Sequence, residues 1–561
     1  MSNDVTTPDG EAGMTPPTSR RRALWVATGV AGLTGVVSLA ALGGLAARDD
    51  KSGDARRVAE KQLATPQQVS DTGKADKGSP QTGSGDDRGG RDRDHRGGER
   101  QGKVRDVPCD EEKLVEAVDL VNRDRGGTLR LAPHCTYELG GHDKKSGSGL
   151  PAIRHEVTIK GQGATIKRDS EDAFRLFTVV DGGDLTLKDV TLRGGNAAAF
   201  AHGSRPGDGK AADQQAVGGQ RGSRTSDGAQ GPDGGALLVE PGGAAHLVKT
   251  TLTGNNAEGN GGAIANYGRV DIHDSKLENN HARKDGGAVF TAGVLHVTGS
   301  HLAHNAAGGD GGALANDGEE GHLYPQTLID EYDEAGTVEI YKSTIESNTA
   351  DHGGGGVSST DGVLTLVRSV VRGNDACHSG GGIHAVDTDL HLDHVTIAKN
   401  HASHHGGGIV NTGGNHHTPT ANRDHDHQPQ ATTTATHTTI TGNTAGRFGG
   451  GIFNGDTHQP TVETGFQNKP EGPGDNATLT LRDTDIKGNT ALNGGGIFNN
   501  NATTRITTTR ITKNTATDTS KTHRVAGGIL NNNGKVRLDH KTTITDNDPT
   551  NCAGTVKDCF N

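Results

Sequence analysis

From residue 234 onward, short apolar bursts alternate with glycine-rich and polar turns, and the alternation repeats. Gly-Gly-Ala-Leu begins at Gly234, Gly-Gly-Ala-Ile at Gly261, Gly-Gly-Ala-Val at Gly286 and Gly-Gly-Ala-Leu at Gly311. Related units carry their apolar residue at Val357, Ile383, Ile409, Ile452, Ile497 and Ile529. Uninterrupted steps are 25 to 27 residues long, as from Leu237 to Ile264 to Val289. Within one step Ile264, Asn266, Val270, Ile272 and Leu277 fall in period-2 bursts broken by Gly268 and polar turns. That pattern predicts three short strands per step, hence one coil of a stacked solenoid. Strands that run parallel without intervening helices predict an all-β, right-handed parallel β-helix. Ten such coils, with about three more upstream, stack to roughly 60 Å at about 4.8 Å per coil.

A second element repeats in phase with the first. Asparagine follows an apolar residue by three positions at Asn255, Asn280, Asn305, Asn348, Asn374, Asn400, Asn443, Asn489 and Asn514. Asparagine tolerates left-handed backbone, and its amide can hydrogen-bond to its own copy one coil away, so these positions are read as a structural ladder. Asn266, Asn316, Asn411, Asn454, Asn499 and Asn531 suggest another. Together the two motifs resemble the repeats of chlamydial polymorphic membrane proteins, which are surface adhesins. Here Ile or Leu stands where those repeats usually carry Phe, and no C-terminal membrane barrel is expected after the repeats, so the resemblance implies a surface-displayed helix without implying their secretion route.

Upstream of the repeats, Leu114, Val115, Val118 and Val121 recur at helical spacing, and Gly126-Gly127 ends the helix. Gly-Gly-Thr-x-x-Leu-x-Pro-x-x-x-Tyr then runs from Gly126 to Tyr137. Over roughly residues 109–195 this resembles the opening of pectate-lyase-like β-helix proteins. The resemblance implies a helix plugging the first coil, whose apolar interior and strand edge need a cover. It implies no particular chemistry.

Residues 1–22 form a polar start ending in Arg20-Arg21-Arg22, and 23–47 are an uncharged, mostly apolar run. Arginines ahead of an apolar run place its start on the cytoplasmic side. Ser19-Arg20-Arg21-Arg22-Ala23-Leu24 resembles a twin-arginine signal. Two readings stay open. Gly44-Leu45-Ala46 offers a cleavage site, and the run is long enough to anchor the chain, which takes about 20 residues. Either way, the chain beyond residue 47 is expected outside the membrane, secreted or held at the cell surface. Residues 48–107, rich in Asp-Arg-Gly, cannot bury enough apolar surface to offset ordering entropy and are expected as a disordered linker. The β-helix is then expected over 108–561, with cap and first coils at 108–195 and a disordered insertion at 196–232. Repeat coils are expected over 233–547, and a disulfide-closed tail over 548–561.

Composition narrows the function. Hydrophobic residues are 30% and aromatics 3% of 561, with 88 glycines and a net charge of -12. No basic stripe interleaved with aromatics occurs, which argues against nucleic acid as a partner. In an exported chain Cys109 with Cys135, and Cys552 with Cys559, read as two disulfides. Cys377 is left over and reads as a small buried residue.

Candidate sites are few, and no motif calls for a cofactor. Breaks in the period mark insertions at about 196–232, 318–336, 413–432, 455–476 and 517–524. The 413–432 insertion is the richest in chemistry. It holds His416, His417, His425 and His427, a candidate set of Zn²⁺ or Ni²⁺ ligands. The residue after each repeat hydrophobe should point outward. That column includes Phe290, His384, Phe453 and Phe498 and is expected as a binding face. The Asn-Thr-Asp, Gly-His-Gly and Arg-Ile-Lys signatures of galacturonan hydrolases are missing. Leu392-Asp393-His394 faintly resembles a pectate-lyase step, but Leu538-Asp539-His540 repeats it, as a structural feature would. No catalytic residue is therefore assigned. The sequence points to an exported β-helix that binds or displays, by adhesion or contact with an extracellular polysaccharide or envelope component. If residues 23–47 are kept, the membrane is a second partner. The alternatives are a polysaccharide lyase or hydrolase, and metal capture by the histidine-rich insertion.

Overall fold

In each coil the chain buries alternate side chains, and stacking places like residues over like. In the computed structural model the described residues are 104–143, 146–198, 232–318, 336–413, 431–457, 477–519 and 524–559. They form a right-handed parallel β-helix. One coil shows the plan. Ile264–Asn266 lies in a 12-stranded sheet, Arg269–His273 and Lys276–Glu278 lie in a 25-stranded sheet, and His281–Ala282 lies in a 10-stranded sheet. There are thus four strand segments per coil, where the sequence pattern predicted three. The long strand bends at Asp274, which takes left-handed backbone (φ 49°), and the next residue, Ser275, is buried.

Stacking is parallel and in register. Ile264 pairs with Val289, Val270 with Leu295, Leu277 with Leu302 and Ala282 with Ala307. The inward residues form one core running from Val107 to Cys552. The Gly-Gly pair before each apolar burst has a steric cause. Gly261 sits at φ 67°, and a Cβ on Gly262 would stand 2.1 Å from the carbonyl oxygen of Gly287.

Nine asparagine-to-asparagine bonds tie ten coils together. Asn255 Nδ2 donates to Asn280 Oδ1 at 2.9 Å, Asn280 to Asn305 at 3.0 Å, and Asn305 to Asn348 at 3.0 Å. The file continues through Asn374, Asn400, Asn443, Asn489 and Asn514, and ends at Asn547. Each amide is used fully. Asn280 Nδ2 also donates to Leu252 O, and its Oδ1 also accepts from Asn255 N–H. The second asparagine file is continuous only from Asn411 through Asn454 and Asn499 to Asn531. Farther up, Asn266 donates to Thr291 Oγ1 and Asn316 to Ser359 Oγ. A hydroxyl there replaces the missing amide.

The helix Glu111–Arg123 covers the first coil with Leu114, Val118 and Val121 fully buried, and its Asp110 cap accepts from Lys113 N–H. Order begins earlier than expected. Val104–Val107 pairs with Thr128–Leu131, so the end of the expected linker is a strand that protects the sheet edge. Likewise Asn196–Ala197, assigned by sequence to an insertion, pairs with Asn256–Ala257 and opens the 10-stranded sheet. Cys109–Cys135 and Cys552–Cys559 are closed disulfides, which fits an oxidising compartment. Cys377 is free and exposed, not buried: it follows the inward-facing Ala376 and so points out. Residues 1–103, including the apolar run, lie outside the described residues. Among the described residues no helix is long and apolar enough to cross a membrane.

The ladder predicts a local cost. Asn280→Ala removes an amide that serves two coils and leaves buried partners unsatisfied, so it should lower stability in urea unfolding by about 1–3 kcal/mol or more. Asn256→Ala, at the exposed position beside the ladder residue Asn255, should change it by under about 0.5 kcal/mol. Equal effects would remove the ladder's special role.

Candidate functional site

The outward column proposed as a binding face is not open. Phe290, Phe453 and Phe498 are 2%, 0% and 0% exposed. Leu238, Ala265, Phe290 and Ala315 pack with Tyr267 and Ala292 in one small cluster outside the main core. Val410, Phe453, Phe498 and Leu530 pack with Phe448 and Ala526 in another. Phe453 and Phe498 stack at 5.4 Å between ring centres, and Phe448 lies 4.6 Å from Phe498. The residues do point away from the main core, but neighbouring coils and the turn before each strand cover them. His384 is partly buried beside the Gly353 turn, and burial lowers its pKa. His416, His417, His425 and His427 lie outside the described residues.

The open surface is the outer face of the 25-stranded sheet. On Arg269–His273, Val270 and Ile272 point into the core, so Arg269, Asp271 and His273 point out. Register then aligns outward residues in files running from coil to coil. Three stretches differ in chemistry.

Toward the N-terminus, acids and bases alternate along one file. His246, Asp271, His296 and Glu339 occupy equivalent places in successive coils. His246 Nδ1 is 2.9 Å and His296 Nδ1 2.7 Å from the two oxygens of Asp271, and Arg269 Nε is 3.5 Å away. Asp184 and Asp271, on either side of His246, raise its pKa to about 9; the Asp271 contact is the closer. Burial pushes the Asp271 carboxyl up, but the bonds from His246 and His296 outweigh it and hold the carboxyl well below the usual range. The charges here are matched to one another.

In the middle, His391 Nε2 is 3.1 Å from Asp389, and Asp393 Oδ1 is 2.9 Å from His394 Nδ1 and 3.3 Å from His437 Nδ1. The His394 and His437 rings stack at 4.6 Å. Burial raises the Asp393 carboxyl, and the hydrogen bonds from His437 and His394 together outweigh this to leave it lowered. Thr365, His391, Asp393, Thr434 and Thr436 line a shallow hollow of about 290 Å³.

Toward the C-terminus the face becomes threonine and arginine. Thr432, Thr434 and Thr436 stack on Thr478, Thr480 and Arg482, and these on Thr503, Arg505 and Thr507. Arg505 stacks in turn on Arg537, and Thr503 on Lys535. Arg482, Lys487, Arg505, Arg510, Lys535 and Arg537 are all exposed. Among the described residues none forms an ion pair, although Asp485 lies opposite Arg510 in register. Sequence reading missed this stretch because the six cations are scattered over 56 positions, from Arg482 to Arg537, and only the coil register collects them.

No protein-family model matches the chain, and no curated protein sequence does. Among solved structures, two that this chain matches are A-modules of Azotobacter vinelandii mannuronan C-5 epimerases. AlgE6 is 15% identical, with 70% of this chain and 93% of that one covered at a TM-score of 0.39. AlgE4 is 13% identical, covering 70% and 92% at 0.36. PfbA, a surface adhesin of Streptococcus pneumoniae, is 10% identical, covering 76% and 88% at 0.31. Neither activity is carried to this chain on likenesses this shallow.

The raised His246 pKa has a signed consequence. A histidine whose pKa rises on folding stabilises fully below its unfolded value near 6.5, and that contribution is lost as pH rises through about 9. His246→Gln should therefore flatten the fall in stability between those pH values. By NMR the wild-type His246 ring should titrate near 9; a midpoint near 6.5 would contradict the pairing.

Proposed function

We propose that this chain is an exported surface β-helix that binds an extended, negatively charged extracellular polysaccharide along the outer face of its long sheet. The observation that carries the reading is the cation set of the last coils, which forms no ion pair among the described residues. Like charges stacked directly opposite one another, as Arg505 and Arg537 are, disfavour the fold unless a counter-charge sits between them. A linear polyanion supplies that charge over several coils at once. The neighbouring threonine hydroxyls suit sugar hydroxyls as hydrogen-bond partners, being both donors and acceptors. The near-absence of aromatics on this face removes the stacking platform that single-stranded nucleic acid needs.

Binding without turnover is favoured by the chemistry of the rest of the face. The N-terminal histidines and carboxylates are engaged with one another, and the hollow beside His391 is shallow. Export is supported by the two disulfides and by the apolar run behind three arginines. A second reading, an enzyme acting on the same polymer, is favoured by one feature: His391 and Asp393 line that hollow, and each has a titratable partner beside it, Asp389 and His437.

A polysaccharide binding array separates these readings when product release is followed in parallel. Polyuronates and other acidic polymers should bind and neutral glucans should not, with affinity falling as salt rises. Arg505→Ser with Arg537→Ser should weaken binding about tenfold, taking ~0.7 kcal/mol for each exposed ion pair. Undiminished binding by this variant, or equal binding of neutral polymers, would overturn the proposal. Unsaturated, shortened or epimerised products would establish the enzyme instead.

A further inference from the structure

We propose that Asp393, His394 and His437 form a binding site for one divalent transition-metal ion of the zinc or nickel class. One ligand atom from each residue can be chosen so that all three lie within 4.8 Å of one another. The histidine–aspartate hydrogen bonds that join these side chains hold the donors at a spacing an ion can also use. Asp393 Oδ1 stands 2.9 Å from His394 Nδ1 and 3.3 Å from His437 Nδ1. Ligands around a tetrahedral zinc, with bonds of about 2.0–2.1 Å, are about 3.3 Å apart.

The fold places these donors. His394 and His437 occupy the same corner of successive coils, the bend of the long sheet, at φ 54° and 49°. Equivalent corner residues in other coils include Asp189, Lys249, Asp274, Gly299, Lys342, Arg368, Asp483 and Thr508. Among the described residues of this corner, two imidazoles stack face to face only at His394 and His437, with an aspartate before the first.

Ligand type sets the class of ion. Two nitrogens and one carboxylate suit zinc, nickel, cobalt or copper. Calcium takes about six to eight oxygens, which this corner does not offer. Asp483 Oδ2 lies 4.0 Å from Nε2 of His437, on the side of the ring away from Asp393. A small shift there lets it accept the Nε2 proton and hold Nδ1 toward the ion. Asp393 also borders the 290 Å³ hollow, so positions left open on the ion face it and can take water or a ligand's carboxylate. The site stands on its own geometry and does not depend on the polysaccharide reading.

The test uses the full chain with His416, His417, His425 and His427 replaced by Asn, so that those imidazoles do not contribute. Calorimetric titration with Zn²⁺ and Ni²⁺ should give one site per chain, with no binding of Ca²⁺. Co²⁺ should give visible absorption bands of a low-symmetry nitrogen–oxygen site. His394→Asn and His437→Asn, chosen because asparagine accepts left-handed backbone, should each weaken uptake at least tenfold and abolish the Co²⁺ bands. Thermal unfolding of the metal-free proteins serves as the control for folding. It should be unchanged by either substitution, while added Zn²⁺ raises the midpoint of the parent alone. Equal uptake by parent and variants, or no uptake by the parent, would overturn the site.

Discussion

The buried asparagine file is the constraint on which the rest of the molecule depends. A parallel β-helix has little else to fix its register. Its core residues are interchangeable aliphatics, and its turns are glycine-rich and permissive. The side-chain amides bond from coil to coil at 2.9–3.0 Å, and each also satisfies backbone groups of its neighbours. A slip of one residue would bury unpaired amides along the whole rod, each costing about 1–3 kcal/mol. Aliphatic burial drives the stack together, and the amides decide where each coil sits.

Register, once fixed, gives the outer face its chemistry. Residues far apart in sequence become neighbours about 4.8 Å apart, so any bias in the outward positions is amplified into a file. Where a file alternates in sign, as through His246, Asp271 and His296, the charges satisfy one another and strengthen the stack. Where it repeats in sign, as at Arg505 and Arg537, like charges face one another across adjacent coils. The same rule stacks His394 on His437. The chemistry of the outer face is thus a property of register more than of any single coil.

Much of the fold was legible in the sequence because both asparagine and aliphatic periods survive without long-range information. The ladder residues Asn280 and Asn305 could be matched by counting alone. The outward column was harder. Alternation correctly turned Phe290, Phe453 and Phe498 away from the main core, yet it carries no information on what the adjoining turns cover, and those rings are buried. Cys377 was misplaced for a related reason: a small residue beside Ala376 reads as buried, though alternation places it outside. The strand Val104–Val107 was hidden by its charged surroundings, since only its pairing with Thr128–Leu131 makes it a strand. Asp393 and His437 are 44 positions apart with an insertion between them, so no local motif joins them.

The central claim, that coils stack directly in register across the insertions, is tested most directly by one distance. Asn256 and Thr444 are exposed and lie on one file of the short sheet, linked through His281, Ala306, Thr349, Asp375 and His401. Spin labels on cysteines placed at those two positions, with Cys377 changed to Ser, should give a narrow double electron–electron resonance distribution. Six steps of about 4.8 Å put its centre at about 29 Å, within the reach of the label arms. A broad distribution, or a centre far beyond that value, would contradict the in-register stack.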